Sequence, residues 1–440
     1  MLQTFRKAFQ IEDIRKKIFY TFLMLIVIRI GSQLPTPGVN PDYIKEFFRQ
    51  QSANGSLFNF FDAFTGGSFT SMSIFALSIT PYITSSIIMQ LLTIAIPKLE
   101  EMQKEGEEGR KKISSITRYV TVALALIEST AMAVGFGRQG LLKEYNFVSI
   151  AVVALTLTAG SAFLMWIGER ITERGVGNGI SIVLLVNILS RVPDDFVTLY
   201  VQFMQGKSIA KAGLAGLVIL LVILIVVVFV IVLQGGERRI AVQYSQKIQG
   251  RKTVGGQSSH IPLKVNTAGV IPVIFASSLM QFPIMIASFM GKGEGSGIGS
   301  EILKGLNSNN WCNIENIQYS WGLIVYILLT IFFAYFYTSI TFNPLEIANN
   351  MKKNGGFIPG IRPGKPTVEY LTRILNNIIF IGACGLVIVQ VIPFFFNGVY
   401  GANVSFGGTS IIIIVGVVLD TIKQVESQML VRNYKGFLNN

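Results

Sequence analysis

Long apolar runs separated by short polar stretches dominate the chain. Ten of them read as membrane spans, near residues 18–34, 72–96, 119–137, 147–168, 178–192, 213–234, 265–290, 321–343, 372–393 and 409–428. A helix needs about 20 residues to cross the hydrocarbon of a bilayer. The sixth run, LAGLVILLVILIVVVFVIVLQ, is the purest, and the fifth, NGISIVLLVNILSRV, is short. The second is not plain lipid-facing helix: Pro81 interrupts it, and Thr80, Tyr82, Thr84, Ser85 and Ser86 make its middle polar. Such residues at membrane depth suit a helix facing protein or a water-filled cavity. Just before it, SLFNFFDAFTGGSF is too short to span. Phe58, Phe60, Phe61 and Phe64 make it apolar and Gly66-Gly67 supplies a hinge. This predicts a short re-entrant segment that folds back into the protein.

Composition agrees. The chain has 440 residues, 51% hydrophobic and 14% charged, where a soluble domain carries about 25% charged residues. A mean hydropathy of +0.54 marks a polytopic membrane protein. The N-terminus has positive charge followed by an apolar run, yet GSQLPTPG offers no small-residue cleavage site, so the first span reads as retained. Two cysteines, Cys312 and Cys384, are too few for a disulfide framework, and the single His260 excludes a histidine-rich metal site.

Charge sets the sides. Ten spans put both termini on one face, and the ends and loops of that face carry 27 Lys and Arg against 9 opposite, with Arg29 inside span one. The positive-inside rule makes that face, and both termini, cytoplasmic. Asp and Glu divide 13 to 9, so almost all of the net +13 lies on the cytoplasmic side. Orientation plus contact with anionic lipid heads accounts for such an excess; so does a docking face for an acidic partner such as RNA or protein.

Two cytoplasmic loops are long. In residues 235–264, GGERRIAVQYSQKIQGRKTVGGQSSHIPLK, the alternation in RIAVQY and the later glycines predict a β-hairpin-like finger. In residues 344–371, Gly355-Gly356, Pro359, Gly360, Pro363, Gly364 and Pro366 predict a stiff, turn-rich tip presenting Arg362 and Lys365. Structured basic tips that stand off a membrane point to a protein partner more than to lipid.

An internal echo suggests the architecture. Span two contains PYITSS from Pro81, and span seven contains PVIFASS from Pro272, which includes Ser277 and Ser278. Each is the second span of a five-span half. An odd number per half forces the halves, residues 1–192 and 193–440, to be inverted relative to each other, with a pathway between them.

The interior offers little chemistry. PGIRPGKP lacks the first glycine of a phosphate-binding loop and has Pro where Ser or Thr is required; GVGNGI does not follow a strand. There is no HExxH, no GxSxG and no paired carboxylate, so no catalytic site or cofactor is expected. Inside the hydrocarbon stand Arg29 and Glu128, with Asp420 near an end. Glu128 needs a partner, for which Asn266 and Thr80 are candidates. Branched aliphatics lie beside polar groups: Ile83 and Ile87, and Leu184 and Ile188, each four apart on one helix face; Ile274 after Pro272; Ile413 after GGTS. Each alone fits ordinary helix packing. Together they fit a narrow apolar collar that excludes water and ions by dewetting.

The stretches SIFALSITPYITSSIIMQLLTIAIP, KEGEEGRKKISSITRY, GERITERGVGNGISI, QSSHIPLKVNTAGVIPVIFASS, FNPLEIANNMKKNGGFIPGIRPGKPT and FGGTSIIIIVGVVLDT occur in this order over nearly the whole chain. In them the sequence closely resembles the SecY/Sec61-alpha family of protein-translocation channels. The resemblance implies an all-α polytopic fold of ten transmembrane helices, in two inverted five-helix halves around a central hourglass pore, with a short re-entrant plug helix. It implies that Ile83, Ile87, Leu184, Ile188, Ile274 and Ile413 form the pore ring, Leu184 standing where isoleucine is common. The stretch from Leu57 to Phe69 matches the plug, with Leu57, Phe58, Asn59, Phe60, Phe61, Phe64, Gly66 and Gly67. Spans two and seven match the lateral gate, with three and eight beside them; Thr80, Ser85, Ser86, Glu128, Asn266, Ser277 and Ser278 fall there. Arg238, Arg239, Arg251, Lys252, Arg362 and Lys365 match the docking region for the SecA motor ATPase or the ribosome. The implied partners are SecE and SecG in the membrane, signal sequences, translocating polypeptides and the bilayer lipid of a bacterial plasma membrane. A secondary solute transporter also uses inverted repeats; the shortage of midplane charges and the two basic loops stand against it. A membrane enzyme lacks any catalytic constellation.

Overall fold

The computed structural model describes residues 9–40, 43–44, 62, 65–206, 208–244, 247–249, 252–254, 258–289, 298–312, 317–400 and 408–438. Every predicted apolar run coincides with a helix. These are α1 (Glu12–Gly31), α2 (Thr80–Ala95), continued by the short α3 (Pro97–Lys104), α4 (Glu107–Arg138), α5 (Phe147–Arg174), α6 (Gly179–Phe203) and α7 (Ile209–Gly235). After α7 come four strands, β1 (Glu237–Tyr244), β2 (Lys247–Gln249), β3 (Lys252–Val254) and β4 (Ser258–Lys264). The chain then forms α8 (Ile271–Phe289), α9 (Ile298–Leu306), α10 (Trp321–Thr341), α11 (Pro344–Lys353), β5 (Gly356–Phe357), α12 (Lys365–Tyr400) and α13 (Gly408–Leu438).

By length and composition, six helical stretches among the described residues can cross a membrane, and the bent pair α2–α3 makes a seventh. The remaining runs are α1, α6 and α8, helices of 20, 25 and 19 residues. α4, at 32 residues, is about 48 Å long, well beyond the roughly 30 Å of hydrocarbon. Its first turn carries Glu107 and Glu108 and its last Arg138, each sign matched to the helix dipole. On α7, Leu214, Leu217, Leu220, Leu221 and Leu224 are all exposed; a helix apolar on every side belongs in lipid.

Several helices differ from the predicted spans; α6, expected to be short and to end at 192, runs on through Pro193 to Phe203. Span two does not run as helix from residue 72. Residues 66–79 are mainly turns, with Met72 and Ser78 in the left-handed region (φ 45° and 53°), and α2 begins at Thr80. Pro81 therefore starts the helix instead of interrupting it, because its fixed φ suits the first turn and its missing N–H is not needed there. Pro97 acts likewise: Ile96 is extended, and α3 leaves α2 at 102°. The second long loop opens with a helix, and the expected turn-rich tip follows it, with Gly355, Gly360 and Gly364 at positive φ. Asn343 caps α11 by accepting from the Leu345 and Glu346 amides, with Pro344 in the first turn.

The first long loop forms the expected hairpin, β1 pairing antiparallel with β4 from Glu237↔Lys264 to Gln243↔Ser258. The sequence pattern did not announce that β5, from the other loop, adds to the free edge of β1 through Gln243↔Phe357 and Tyr244↔Gly356. Both loops share one apolar core, containing Ile240, Val242, Leu263, Met351, Ile358 and Leu371. They make a single platform.

Candidate translocation pathway

The aliphatics dispersed along the chain meet in space. Leu184 and Ile188 of α6 and Ile413 of α13 are buried in one cluster, and Ile83 of α2 and Ile274 of α8 pack against it. α1 adds Ile28, and α5 adds Leu164, Ile167 and Ile171. Five of the six expected ring positions thus converge from both ends of the chain. Ile87 does not: it is half-buried one turn further along α2 and lies outside this cluster.

Of the expected gate residues, Ser85, Ser277 and Asn266 bond within their own helix or turn, as does the neighbouring Thr84. Thr84 Oγ1 donates to Thr80 O (3.1 Å), Ser85 Oγ to Pro81 O (2.7 Å) and Ser277 Oγ to Val273 O (2.9 Å). These three hydroxyls donate their protons within their own helices. Ser86 and Ser278 are half-buried. Glu128 does not pair with Asn266 or Thr80. The Asn266 amide donates to Gly269 O (3.0 Å), closing its own turn, and Glu128 makes no hydrogen bond or ion pair among the described residues. α4 carries Glu128 and packs against both α2 and α8. Asp420 lies at the surface, 3.6 Å from Lys264 of β4.

Of the expected plug, Leu57, Phe58, Asn59, Phe60, Phe61 and Phe64 lie outside the described residues. Asp62 and Thr65, in the same stretch, have helical backbone, and the Gly66 amide bonds Asp62 O at 2.9 Å. Gly66 then ends the helix at φ +67°, the left-handed conformation usual after a last helical turn. Its backbone lies directly on α6: a Cβ there would stand 2.8 Å from Asn187 O. Gly67, at φ +85°, has open space around it.

Sequence reasoning missed Asp62. It is fully buried, and its Oδ2 lies 2.5 Å from Arg191 Nη1 near the far end of span five. Its Oδ1 accepts from the Thr70 amide (3.0 Å) and Thr70 Oγ1 (2.9 Å). Burial pushes the Asp62 carboxyl up, against the downward pull of Arg191 and Thr70. An aspartate in an apolar stretch was the available signal, but its counter-charge lies far away in sequence. Arg29, the expected intramembrane cation, donates to Ser190 Oγ (3.0 Å) and to Gly66 O (3.4 Å).

On the platform, Arg238 and Arg239 on β1 and Arg362 and Lys365 beyond β5 are all at least partly exposed. Lys252 lies on β3, and Arg251 falls outside the described residues. Among the described residues no group of acidic, His or Cys side chains could hold a metal ion, and both cysteines are free thiols.

Fold and site together define a multi-pass helical membrane protein in which helices from early and late in the chain bury one apolar cluster and which carries a basic platform. The SecY family model matches residues 73–422, and the chain belongs to the SecY family. It is 44% identical to the protein translocase subunit SecY of Corynebacterium glutamicum, covering 98% of this chain and 99% of that one. It is 44% identical to that of Halalkalibacterium halodurans over the full length of both. Among solved structures, a protein-conducting channel superposes with a TM-score of 0.62 at 17% identity, covering 94% of this chain and 92% of the other. Sec61 from a canine ribosome–channel complex of the endoplasmic reticulum gives 0.60 at 17% identity with the same coverage.

Proposed function

We propose that this protein is the channel subunit of a protein translocase. It passes unfolded secretory polypeptides across the membrane and releases signal sequences and nascent spans sideways into lipid. The observation that carries the reading is the convergence of Ile83, Leu184, Ile188, Ile274 and Ile413 in one apolar cluster, in a chain of the SecY family. A pore for every side chain cannot be lined with specific binding groups. An apolar ring grips any chain weakly and, at rest, excludes water and ions by dewetting.

The other parts take their roles from the same reading. The halves 1–192 and 193–440 enclose the ring, and the segment around residues 57–69 plugs it. α2 and α8 part to form a lateral gate. The hydroxyls of Thr84, Ser85 and Ser277 bond their own helices, so parting the gate need not break those bonds. The chain carries no nucleotide-binding loop, so its drive comes from a docked motor ATPase or a ribosome. Arg238, Arg239, Arg362 and Lys365 supply the contact, and a shared apolar core joins the two loops that carry them. SecE and SecG are the membrane partners, the location is the bacterial plasma membrane, and both termini face the cytoplasm.

Reconstitution tests this. Proteoliposomes holding the chain with SecE and SecG, supplied with SecA and ATP, are expected to protect a secretory preprotein from added protease. Absence of protection, with concentrative uptake of a small solute instead, would overturn the reading.

A further inference from the structure

One face of α6 holds Asp62, Gly66 and Ser78. Asn187, Ser190 and Arg191 are spaced i, i+3 and i+4, so they leave the helix on the same side. Each meets a different point of the segment. Asn187 Nδ2 donates to Ser78 Oγ at 2.9 Å. Ser190 Oγ lies 3.3 Å from Gly66 O and 2.7 Å from Asn187 O. Arg191 Nη1 pairs with Asp62 Oδ2 at 2.5 Å. From α1, Arg29 bridges Ser190 Oγ and Gly66 O.

Two features make this grip more than packing. Asp62 is wholly buried, and removing one partner of a buried ion pair strands the other charge in a poor solvent. Lifting the segment off α6 would separate that pair. Gly66, in turn, seats its backbone on the helix so closely that an added Cβ would lie 2.7 Å from Ser190 Oγ. The position on the helix also matters. Leu184 and Ile188, members of the apolar cluster, occupy the turns beside the gripping residues. Cluster and grip lie within about two turns of one helix, so a displacement of α6 in this stretch is felt at both.

We propose that the Asp62–Arg191 pair, backed by Arg29 and Ser190, is a latch that holds Asp62 and residues 65–70 against α6 and ties the resting seal to the position of that helix. These are positioning residues: they touch no substrate. The inference rests on the channel reading above.

The test measures ion leak through resting channels, reconstituted in liposomes with their membrane partners and without substrate or motor. Asp62→Asn and Arg191→Gln are each expected to raise the leak several-fold. Ser190→Ala, which removes one hydroxyl, is expected to raise it less. The exchange Asp62→Arg with Arg191→Asp is expected to return it toward the wild-type level, a rescue that mere loss of packing would not give. Ile83→Ser serves as the reference for an opened constriction. Leaky Ile83→Ser channels with tight Asp62→Asn and Arg191→Gln channels would overturn the latch and leave the channel reading standing. An exchanged pair as leaky as the single variants would also overturn it. If Ile83→Ser is tight as well, and preprotein uptake is absent, the channel reading itself fails. Should the Asp62 and Arg191 variants not assemble with their partners, Ser190→Ala and Arg29→Gln decide: wild-type leak in both overturns the latch.

Discussion

Asn187 of α6 donates a hydrogen bond to Ser78 Oγ at 2.9 Å, and both residues are almost completely buried. Ser78 holds a left-handed backbone (φ 53°) two residues before α2 begins. This bond fixes the strained turn that delivers the chain into the second span.

Replacing Asn187 by Leu is therefore expected to leave a buried hydroxyl unpaired, at about 1–3 kcal/mol. Thermal unfolding of the purified assembly in detergent should show a lowered midpoint. The double variant Asn187→Leu with Ser78→Ala should lose less than the two single losses combined. Strict additivity would show that the two side chains do not act together.

The cluster membership predicts an unequal response along α2. Ile83 packs against the cluster that includes Ile413, whereas Ile87 stands outside it. Ile83→Ser and Ile274→Gly should raise resting conductance in planar bilayers strongly, and Ile87→Ser weakly. Equal effects at 83 and 87 would place the constriction elsewhere on the helix.

For the platform, Arg362→Glu reverses the charge of an exposed side chain beyond β5. Motor-driven preprotein uptake should be abolished while membrane insertion of the channel is kept. Gly356→Val probes the joint between the loops, because a Cβ at Gly356 would stand 2.8 Å from the Tyr244 ring. It is expected to weaken β5 pairing and lower motor-driven uptake with every docking cation in place. Full activity would mean that the loops work independently.

The charged pairs at the base of the hairpin should matter little to stability. Lys423 lies 3.5 Å from Glu237, and Lys264 lies 3.6 Å from Asp420, all four partly or largely exposed. Exposed pairs contribute about 0–1 kcal/mol. Lys423→Gln should shift the unfolding midpoint barely at all; a large shift would reveal a role in the fold.

The apolar runs by themselves determined where the helices lie, because about 20 apolar residues in a row have few folded states other than a helix in lipid or in a protein core. The hairpin was legible in the alternation of β1, and the starting points of α2 and α11 were encoded in Pro81 and in Asn343-Pro344. The order of the motifs placed the chain in its family. Tertiary structure alone decided which aliphatics meet: Ile83 and Ile87 are equivalent by spacing, and only packing against α6 and α13 separates them. It also decided the partners of the charges. Glu128 found neither expected partner because Asn266 bonds its own turn, and Asp62 found Arg191. Local chemistry reads along a chain at distances of a few residues, whereas a buried charge is satisfied by whatever the fold brings near it. That pairing is a property of three-dimensional packing and leaves no periodic trace in the sequence.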